Sequence, residues 1–180
     1  MKYASIILCF ILAFAGYLMS ANKKDSKYVL IALGFTLTAD IFLLFTTDDF
    51  AGVFFFCLVQ LTYLKRYNEK FLKFGLVAAV TFICAFFILP FDATYMISGL
   101  YALLIVSTFA STFTTKIPKI NVKLAQFGML LFILCDIHVA LYNVLPRDHW
   151  YYQIVMVAMW FFYLPSQVLI ALSASHYSRH

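Results

Sequence analysis

Apolar residues form seven long blocks along the chain, separated by short stretches rich in charged, turn-forming or hydroxylated residues. The blocks cover roughly residues 3–20, 28–46, 50–64, 73–90, 94–114, 122–143 and 150–174. Most have the ~20 residues with which a helix crosses a hydrocarbon core about 30 Å thick. The third block is short, and we expect it to extend back through Thr46 and Thr47. Because lipid offers no hydrogen bonds to the backbone, each block is predicted to be a helix.

Composition decides the class of protein. Hydrophobic residues make up 64% of the 180 residues and charged residues 12%, and the mean hydropathy is +0.92. A soluble domain averages about 45–50% apolar and about 25% charged residues, and one of this size could not bury so much apolar surface. Residues 1–180 are therefore predicted to form a single integral membrane domain, an all-α polytopic bundle of about seven transmembrane helices.

Charge placement predicts the orientation of the bundle. Of the 13 basic residues, 11 fall in alternate connections or after the last block: Lys23, Lys24, Lys27, Lys65, Arg66, Lys70, Lys73, Lys116, Lys119, Lys123 and Arg179. The positive-inside rule makes that side cytoplasmic, with the N-terminus outside and the C-terminus cytoplasmic, and we expect the plasma membrane as the location. The first three lysines also disfavour a cleaved signal peptide. The net charge of +5 reflects topology and attraction to anionic lipid, so no nucleic-acid partner is expected.

Several kinds of chemistry find no support. Four single cysteines lie inside apolar blocks without a CxxC pair, and we interpret them as small buried hydrophobes: Cys9, Cys57, Cys84 and Cys135. His138 is the only histidine well inside a block. A zinc site is therefore disfavoured, and we expect a structural role for this histidine. No P-loop, GxSxG, HExxH or glycine-rich nucleotide motif occurs, and no cofactor or metal is expected.

Two acidic residues lie inside apolar blocks, whereas the other six fall in the predicted connections. Asp40 and Asp136 each follow a lysine, Lys27 and Lys123, by 13 residues on helices that run in the same direction. The two carboxyl groups are therefore expected at a similar depth, about 20 Å from the lysine-rich edge. Ionisable groups within spanning helices are costly and by default indicate a functional site. If they share a cavity, one should stay protonated while the other ionises, as acid–base hydrolysis requires.

A structural explanation for each aspartate also fits the sequence. The hydroxyl of Thr36, one turn before Asp40, could bond that carboxyl locally, or either aspartate could reach the outer interface by snorkelling.

Further polar residues lie at helical spacing inside the blocks. Gln60 and Tyr63 belong to the third block, and Tyr163 and Gln167, four residues apart, share one face of the seventh. Pro165 between them is expected to kink that helix and free carbonyls near the site. Interhelical hydrogen bonding by the glutamines is the structural alternative.

The polar residues resemble motifs of the YhhN family of multi-pass membrane proteins, which includes the lysoplasmalogenases. Gly34–Leu44 is similar to a segment that carries a Gly-Asp pair, and Gln60–Tyr63 to a His-x-x-Tyr motif. Cys135–Asp136 resembles a Ser-Asp pair, and Tyr163–Ala171 a Tyr-x-x-x-Gln-like ending of the last helix. The order and spacing agree over roughly residues 28–172.

The chain departs from the family pattern at several points. Ala39, Gln60 and Cys135 replace the glycine, histidine and serine, and the first of the family's usual eight helices has no counterpart. If the histidine takes part in proton transfer, Gln60 cannot do the same. Asp40 and Asp136 are retained, which favours a working site.

The resemblance implies hydrolysis of the vinyl-ether bond of a lysoplasmalogen, a lysophospholipid, to a fatty aldehyde and a glycerophospho-alcohol. Asp40 and Asp136 would be catalytic, and Gln60, Tyr63, Tyr163 and Gln167 would bind substrate. A small transporter whose aspartates bind a proton or cation fits the same residues. A non-catalytic lysolipid-binding relative, suggested by Gln60, is a third interpretation. The family resemblance favours the hydrolase.

Overall fold

The computed structural model describes residues 2–19, 23–46, 48–88, 92–117, 119–148 and 150–174. Over these ranges the chain forms seven α-helices and no strand, which confirms the all-α prediction. The helices are α1 (Lys2–Met19), α2 (Lys23–Phe45), α3 (Asp49–Tyr67), α4 (Glu69–Ile88), α5 (Ala93–Ser111), α6 (Lys119–Val144) and α7 (Tyr152–Leu172). Each helix coincides with one apolar block of the sequence.

The bounds of α3 differ from the prediction. The carboxylate of Asp48 accepts a hydrogen bond from the backbone N–H of Ala51 at 2.9 Å, and this N-cap starts the helix at Asp49. The expected backward extension through Thr46 is therefore wrong, and Thr47 lies outside the described residues. At its other end α3 continues beyond the predicted block to Tyr67. Arg66 and Tyr67 are both buried there.

The outer surface of the bundle is apolar. By length and composition, α2, α5, α6 and α7 can each cross a membrane. Large apolar side chains are exposed on all seven described helices, among them Leu18 (60% exposed), Val77 (64%), Phe127 (62%) and Phe161 (71%). Such exposure is stable in lipid and unfavourable in water. The architecture is thus that of a helical membrane bundle, as the composition predicted.

Six helices follow one another around a ring in the order α1, α2, α3, α5, α6 and α7, and α7 closes the ring against α1. α4 lies outside this ring against α3 and α5. The pairs α6–α7 and α2–α3 pack most extensively, whereas α5 and α6 meet only sparsely. The buried core lies inside the ring and includes Phe56, Met129, Phe132 and Tyr163.

Close backbone approach explains the tight α6–α7 pair. A Cβ atom added to Gly128 would lie 2.7 Å from Cγ1 of Ile170 and 3.2 Å from the backbone oxygen of Ser166. Small residues let helices in membranes approach closely where the driving force is packing. Gly128 therefore sets the spacing that places the polar face of α7 inside the ring.

A buried ion pair joins three helices at one end of the bundle. The guanidinium of Arg66 donates from Nε and Nη2 to the two carboxylate oxygens of Asp25, each at 2.8 Å. It also donates to the hydroxyl and the carbonyl oxygen of Ser173, both at 2.8 Å. The Arg66 side chain has no exposed surface. This network fixes the positions of α2, α3 and the end of α7 relative to one another.

The prediction that both partners of this ion pair lie in connections is wrong. Arg66 lies in α3 and Asp25 in the first turn of α2. Asp49 and Glu69, assigned in the same way, begin α3 and α4. Hydropathy alone does not reveal a charge at a helix end that turns inward to a partner.

The connections rich in lysine meet at the same end of the bundle as Arg66. The Asn68 amide donates to the hydroxyl of Thr114 at 2.9 Å, and the hydroxyl of Ser26 donates to the Ala174 carbonyl at 3.0 Å. These bonds bring together the start of α2, the α3–α4 and α5–α6 connections and the end of α7. We call this the Arg66 end; that it faces the cytoplasm stays a prediction.

Adding a methyl group at Gly128 should destabilise the protein. Gly128→Ala is expected to lower the free energy of unfolding by about 1–3 kcal/mol, because α6 and α7 must separate to admit it. Gly16→Ala is the matched control, since nothing lies within 4 Å of a Cβ there. Unfolding of both variants by SDS in mixed micelles measures the effect. Equal stability of the two variants would contradict the close approach.

Removing the partner of Arg66 should also be costly. Asp25→Ala is expected to lower the free energy of unfolding by about 3–5 kcal/mol, because the guanidinium stays buried without its counter-ion. The same titration checks it, with the exposed Asp148→Ala as the control. A loss in Asp25→Ala no greater than in the control would mean that the ion pair does not hold the helices.

Candidate functional site

Asp40 lies in the half of α2 that is distant from the Arg66 end, and it is only 5% exposed. The hydroxyl of Tyr163 on α7 is 3.0 Å from Oδ1 and 2.8 Å from Oδ2 of this carboxyl group. Tyr163 is itself buried. The bond therefore joins two helices across the interior of the ring, and Asp40 does not reach the interface by snorkelling.

Asp136 on α6 has a tyrosine partner of its own. The hydroxyl of Tyr101 on α5 donates to its Oδ2 at 2.6 Å. Both side chains are half-buried, and Oδ1 has no hydrogen bond to a described residue. Each intramembrane carboxyl is thus bonded to a tyrosine on another helix, and within the described chain the two carboxyls do not bond each other.

A series of aromatic rings connects the two Asp–Tyr pairs. Tyr101 lies 5.8 Å from Phe56, Phe56 lies 5.9 Å from Phe132, and Phe132 lies 5.9 Å from Tyr163, all between ring centroids. The buried thiol of Cys135 lies within electrostatic range of both Asp40 and Asp136. The two Asp–Tyr pairs therefore border one aromatic wall, and together with it they form the candidate site, contributed by α2, α3, α5, α6 and α7.

A second set of polar groups is buried without hydrogen-bond partners among the described residues. Gln60 is fully buried, and neither its amide oxygen nor its nitrogen has a partner. The hydroxyl of Tyr63, also fully buried, has none. Gln167 is 1% exposed, and its amide oxygen likewise has no partner. Buried polar groups in native proteins are almost always bonded, so these three side chains call for a polar ligand or ordered water.

These side chains lie between the aspartates and the Arg66 end. Ten residues separate Phe56 from Arg66 on α3, and ten separate Tyr163 from the bonded Ser173 at the end of α7. Gln60 and Gln167 come four residues after Phe56 and Tyr163, so they lie at one level, about 6 Å deeper toward the Arg66 end. The described bundle thus has a polar layer directly beneath the two carboxyls.

The local alternative for Asp40 is wrong. Thr36 donates to the carbonyl of Ala32 in its own helix at 3.0 Å, and not to Asp40. The ring of His138 bonds within its own helix, with Nδ1 2.6 Å from the Leu134 carbonyl oxygen, and its structural role stays a prediction. Pro165 lies on the exposed side of α7, which continues as a helix on both sides of it.

The cysteines follow the prediction only in part. Cys57 and Cys135 are buried free thiols, whereas Cys84 is exposed on the outer face of α4. Cys9 lies outside the residues whose side chains are described. Cys135 lies beside the candidate site, and the apolar residues around it in the sequence did not indicate this.

Three residues of the candidate site were not predicted from the sequence: Tyr101, Phe56 and Phe132. Each lies in a helix with many aromatic residues, where nothing in the spacing separates a site residue from a lipid-facing one. Tyr101 and Asp136 are 35 residues apart on different helices, so only their tertiary contact identifies the tyrosine. An interior tyrosine hydroxyl, which needs a partner in lipid, was the available signal.

The comparison with known families agrees with the motifs. The sequence model of the YhhN family matches residues 1–174. Among curated proteins and solved structures, none matches the chain. The family match covers all seven described helices and the whole candidate site, so this chain belongs to the YhhN family.

Proposed function

We propose that this protein is a membrane-embedded hydrolase that cleaves the vinyl-ether bond of a single-chain ether lysophospholipid, as in lysoplasmalogenases. One observation carries the proposal. Two carboxyls from different helices border the same series of interior aromatic rings, and each accepts a hydrogen bond from a tyrosine of a third or fourth helix. Paired carboxyls in distinct environments suit acid–base hydrolysis. The family match supports a hydrolase in general terms.

Hydrogen bonding suggests different roles for the two aspartates. The Tyr163 hydroxyl lies within hydrogen-bond distance of both oxygens of Asp40, an arrangement that fits an ionised carboxylate, which only accepts. Asp136 accepts from Tyr101 on Oδ2 only, which leaves Oδ1 free to carry a proton. Asp136 is therefore the proposed general acid and Asp40 the proposed base.

The reaction follows from these roles. Asp136 gives its proton to the β-carbon of the enol ether, and the double-bond electrons form that C–H bond, leaving an oxocarbenium ion. The carboxylate of Asp40 stabilises this cation and takes a proton from the attacking water, whose oxygen bonds to the cationic carbon. Asp40 then gives this proton to the glycerol oxygen while Asp136 takes the hydroxyl proton of the hemiacetal. The C–O bond breaks to release aldehyde and alcohol, and both carboxyls return to their starting protonation.

The layer beneath the carboxyls supplies the remaining polar contacts. Gln60, Tyr63 and Gln167 each present a buried polar atom without a described partner. They are proposed to bind the polar part of the substrate or the attacking water, and Tyr163 to orient Asp40. A glutamine amide cannot exchange protons as a histidine does, so Gln60 is assigned to binding and not to proton transfer.

Replacing either catalytic carboxyl with an amide should remove activity. Asp40→Asn and Asp136→Asn are each expected to lower aldehyde release from an alkenyl lysophospholipid at least ~100-fold, because general acid–base catalysis is lost. Purified protein in detergent is assayed beside Asp148→Asn, an exposed aspartate that should leave the rate unchanged.

The outcomes separate the candidate functions. Full activity in either amide variant excludes the paired mechanism. If the folded wild-type protein releases no aldehyde, the hydrolase is wrong. Substrate uptake into proteoliposomes without chemical change would then identify a transporter, and saturable lysolipid binding without product a binding protein.

Gln60 offers a test of ligand binding that also measures stability. Gln60→Met removes both unpartnered atoms at similar volume, so it is expected to raise the free energy of unfolding by about 1–3 kcal/mol. The same change should lower kcat/KM about tenfold by removing a substrate or water contact. Unfolding in SDS and aldehyde release check the two effects. A stable variant with unchanged kcat/KM would remove Gln60 from the binding site.

A further inference from the structure

The interface between α5 and α6, here called the α5–α6 seam, is the most sparsely packed interface between neighbouring helices of the ring. Every other pair of neighbouring helices in the ring packs more extensively than α5 and α6, which approach closely at few positions. α2 and α7 are also sparse neighbours, yet α1 packs against both and covers them. In the described chain α4 rests on α3 and α5 and does not extend over α6. The α5–α6 seam is therefore the place where the interior is least separated from lipid.

The Asp136–Tyr101 pair lies in this seam. Both residues are half-buried, in contrast to Asp40 at 5% exposure and Tyr163 at 5%. A carboxyl that borders hydrocarbon is costly unless a polar group meets it. Tyr101 satisfies Oδ2, and Oδ1 has no described partner. The Oδ1 atom of Asp136 therefore needs a hydrogen-bond partner, which a polar group from outside the helix ring can supply.

The side chains around this carboxyl are mostly apolar, and those on one side of it are small. Leu103 and Ile137 beside the pair are 37% and 49% exposed. Ser98 on α5 and Ala140 on α6 come one turn away from Tyr101 and Asp136, on the same helix faces and away from the Arg66 end. The side chains one turn away from the carboxyl are therefore small on both helices.

We propose that the α5–α6 seam is a lateral portal through which a single-chain lipid enters from the bilayer, and that the Tyr101 hydroxyl is its latch. The inference rests on the proposed function, because it names the route of the same substrate. The apolar chain remains among the exposed side chains of the seam, as in the surrounding lipid. The polar linkage of the lipid meets Oδ1 of Asp136, the proposed acid.

Tyr101 is a positioning residue in this arrangement. It touches Asp136 and not the reacting atoms. With the portal closed, its hydroxyl holds the carboxyl across the seam at 2.6 Å. When a lipid enters, its polar linkage bonds Oδ1 of Asp136, the bond between Tyr101 and Oδ2 breaks, and α5 and α6 separate. Loss of the hydroxyl should therefore open the seam rather than block it.

Photolabelling tests the portal without reference to catalysis. The protein in nanodiscs is irradiated with a lysophosphatidylcholine that carries a diazirine in its acyl chain, and the labelled residues are located by mass spectrometry. Adducts are expected to concentrate in residues 98–105 of α5 and 133–140 of α6. Adducts spread evenly over all lipid-facing helices would overturn the proposal.

Two variants make the test specific. Ala140→Trp fills the seam and should lower labelling there and aldehyde release about tenfold, whereas Ala15→Trp, at an exposed alanine on α1, should change neither. Tyr101→Phe should raise seam labelling about threefold, the value of an average interhelical hydrogen bond in a membrane. Equal labelling in the two tryptophan variants, or reduced labelling in Tyr101→Phe, would contradict the portal and latch.

The portal and the hydrolase can fail separately. Seam labelling without aldehyde release in the wild type would keep the portal and reject the hydrolase. Aldehyde release that is unaffected by Ala140→Trp, with uniform labelling, would keep the hydrolase and reject the portal.

Discussion

The ion pair between Arg66 and Asp25, sealed by Ser173, sets the alignment of three helices on which the site depends. A guanidinium without exposed surface must keep its partners, because an unpaired charge inside a membrane protein costs several kcal/mol. By holding the end of α3 beside the end of α7, it brings Phe56 level with Tyr163 and Gln60 level with Gln167. The depth at which polar residues meet in the interior therefore follows from a contact at one end of the bundle.

The polar bonds of the site are also contacts between two parts of the fold. α2, α3 and α5 pack in sequence along one side of the ring, and the α6–α7 pair forms the other. Asp40–Tyr163 and Asp136–Tyr101 both cross between these parts. Packing inside each part is close, as the contacts around Gly128 show. Motion that admits a substrate is then expected between the parts, where hydrogen bonds of modest strength replace extensive packing.

The interior combines satisfied and unsatisfied polar groups in separate layers. The carboxyls have tyrosine partners, and Arg66 has a carboxylate and a serine, which keeps these groups in defined positions. The amides of Gln60 and Gln167 and the hydroxyl of Tyr63 are buried without described partners, an arrangement that lowers stability. A site that binds a polar ligand commonly carries this cost, because its groups are arranged for the ligand and not for one another.

Hydrophobic patterning alone determined the class, the seven helices and the two intramembrane aspartates. The length and apolarity of each block decide whether lipid can solvate it, and these are local properties. Asp40 and Asp136 were identifiable because any charge within such a block is costly. Only the tertiary structure assigned Tyr101 to Asp136, turned Arg66 inward to Asp25, and left α5 and α6 as the sparse seam. These features depend on which helix faces meet, and side-chain contacts between distant segments, not local hydropathy, decide that.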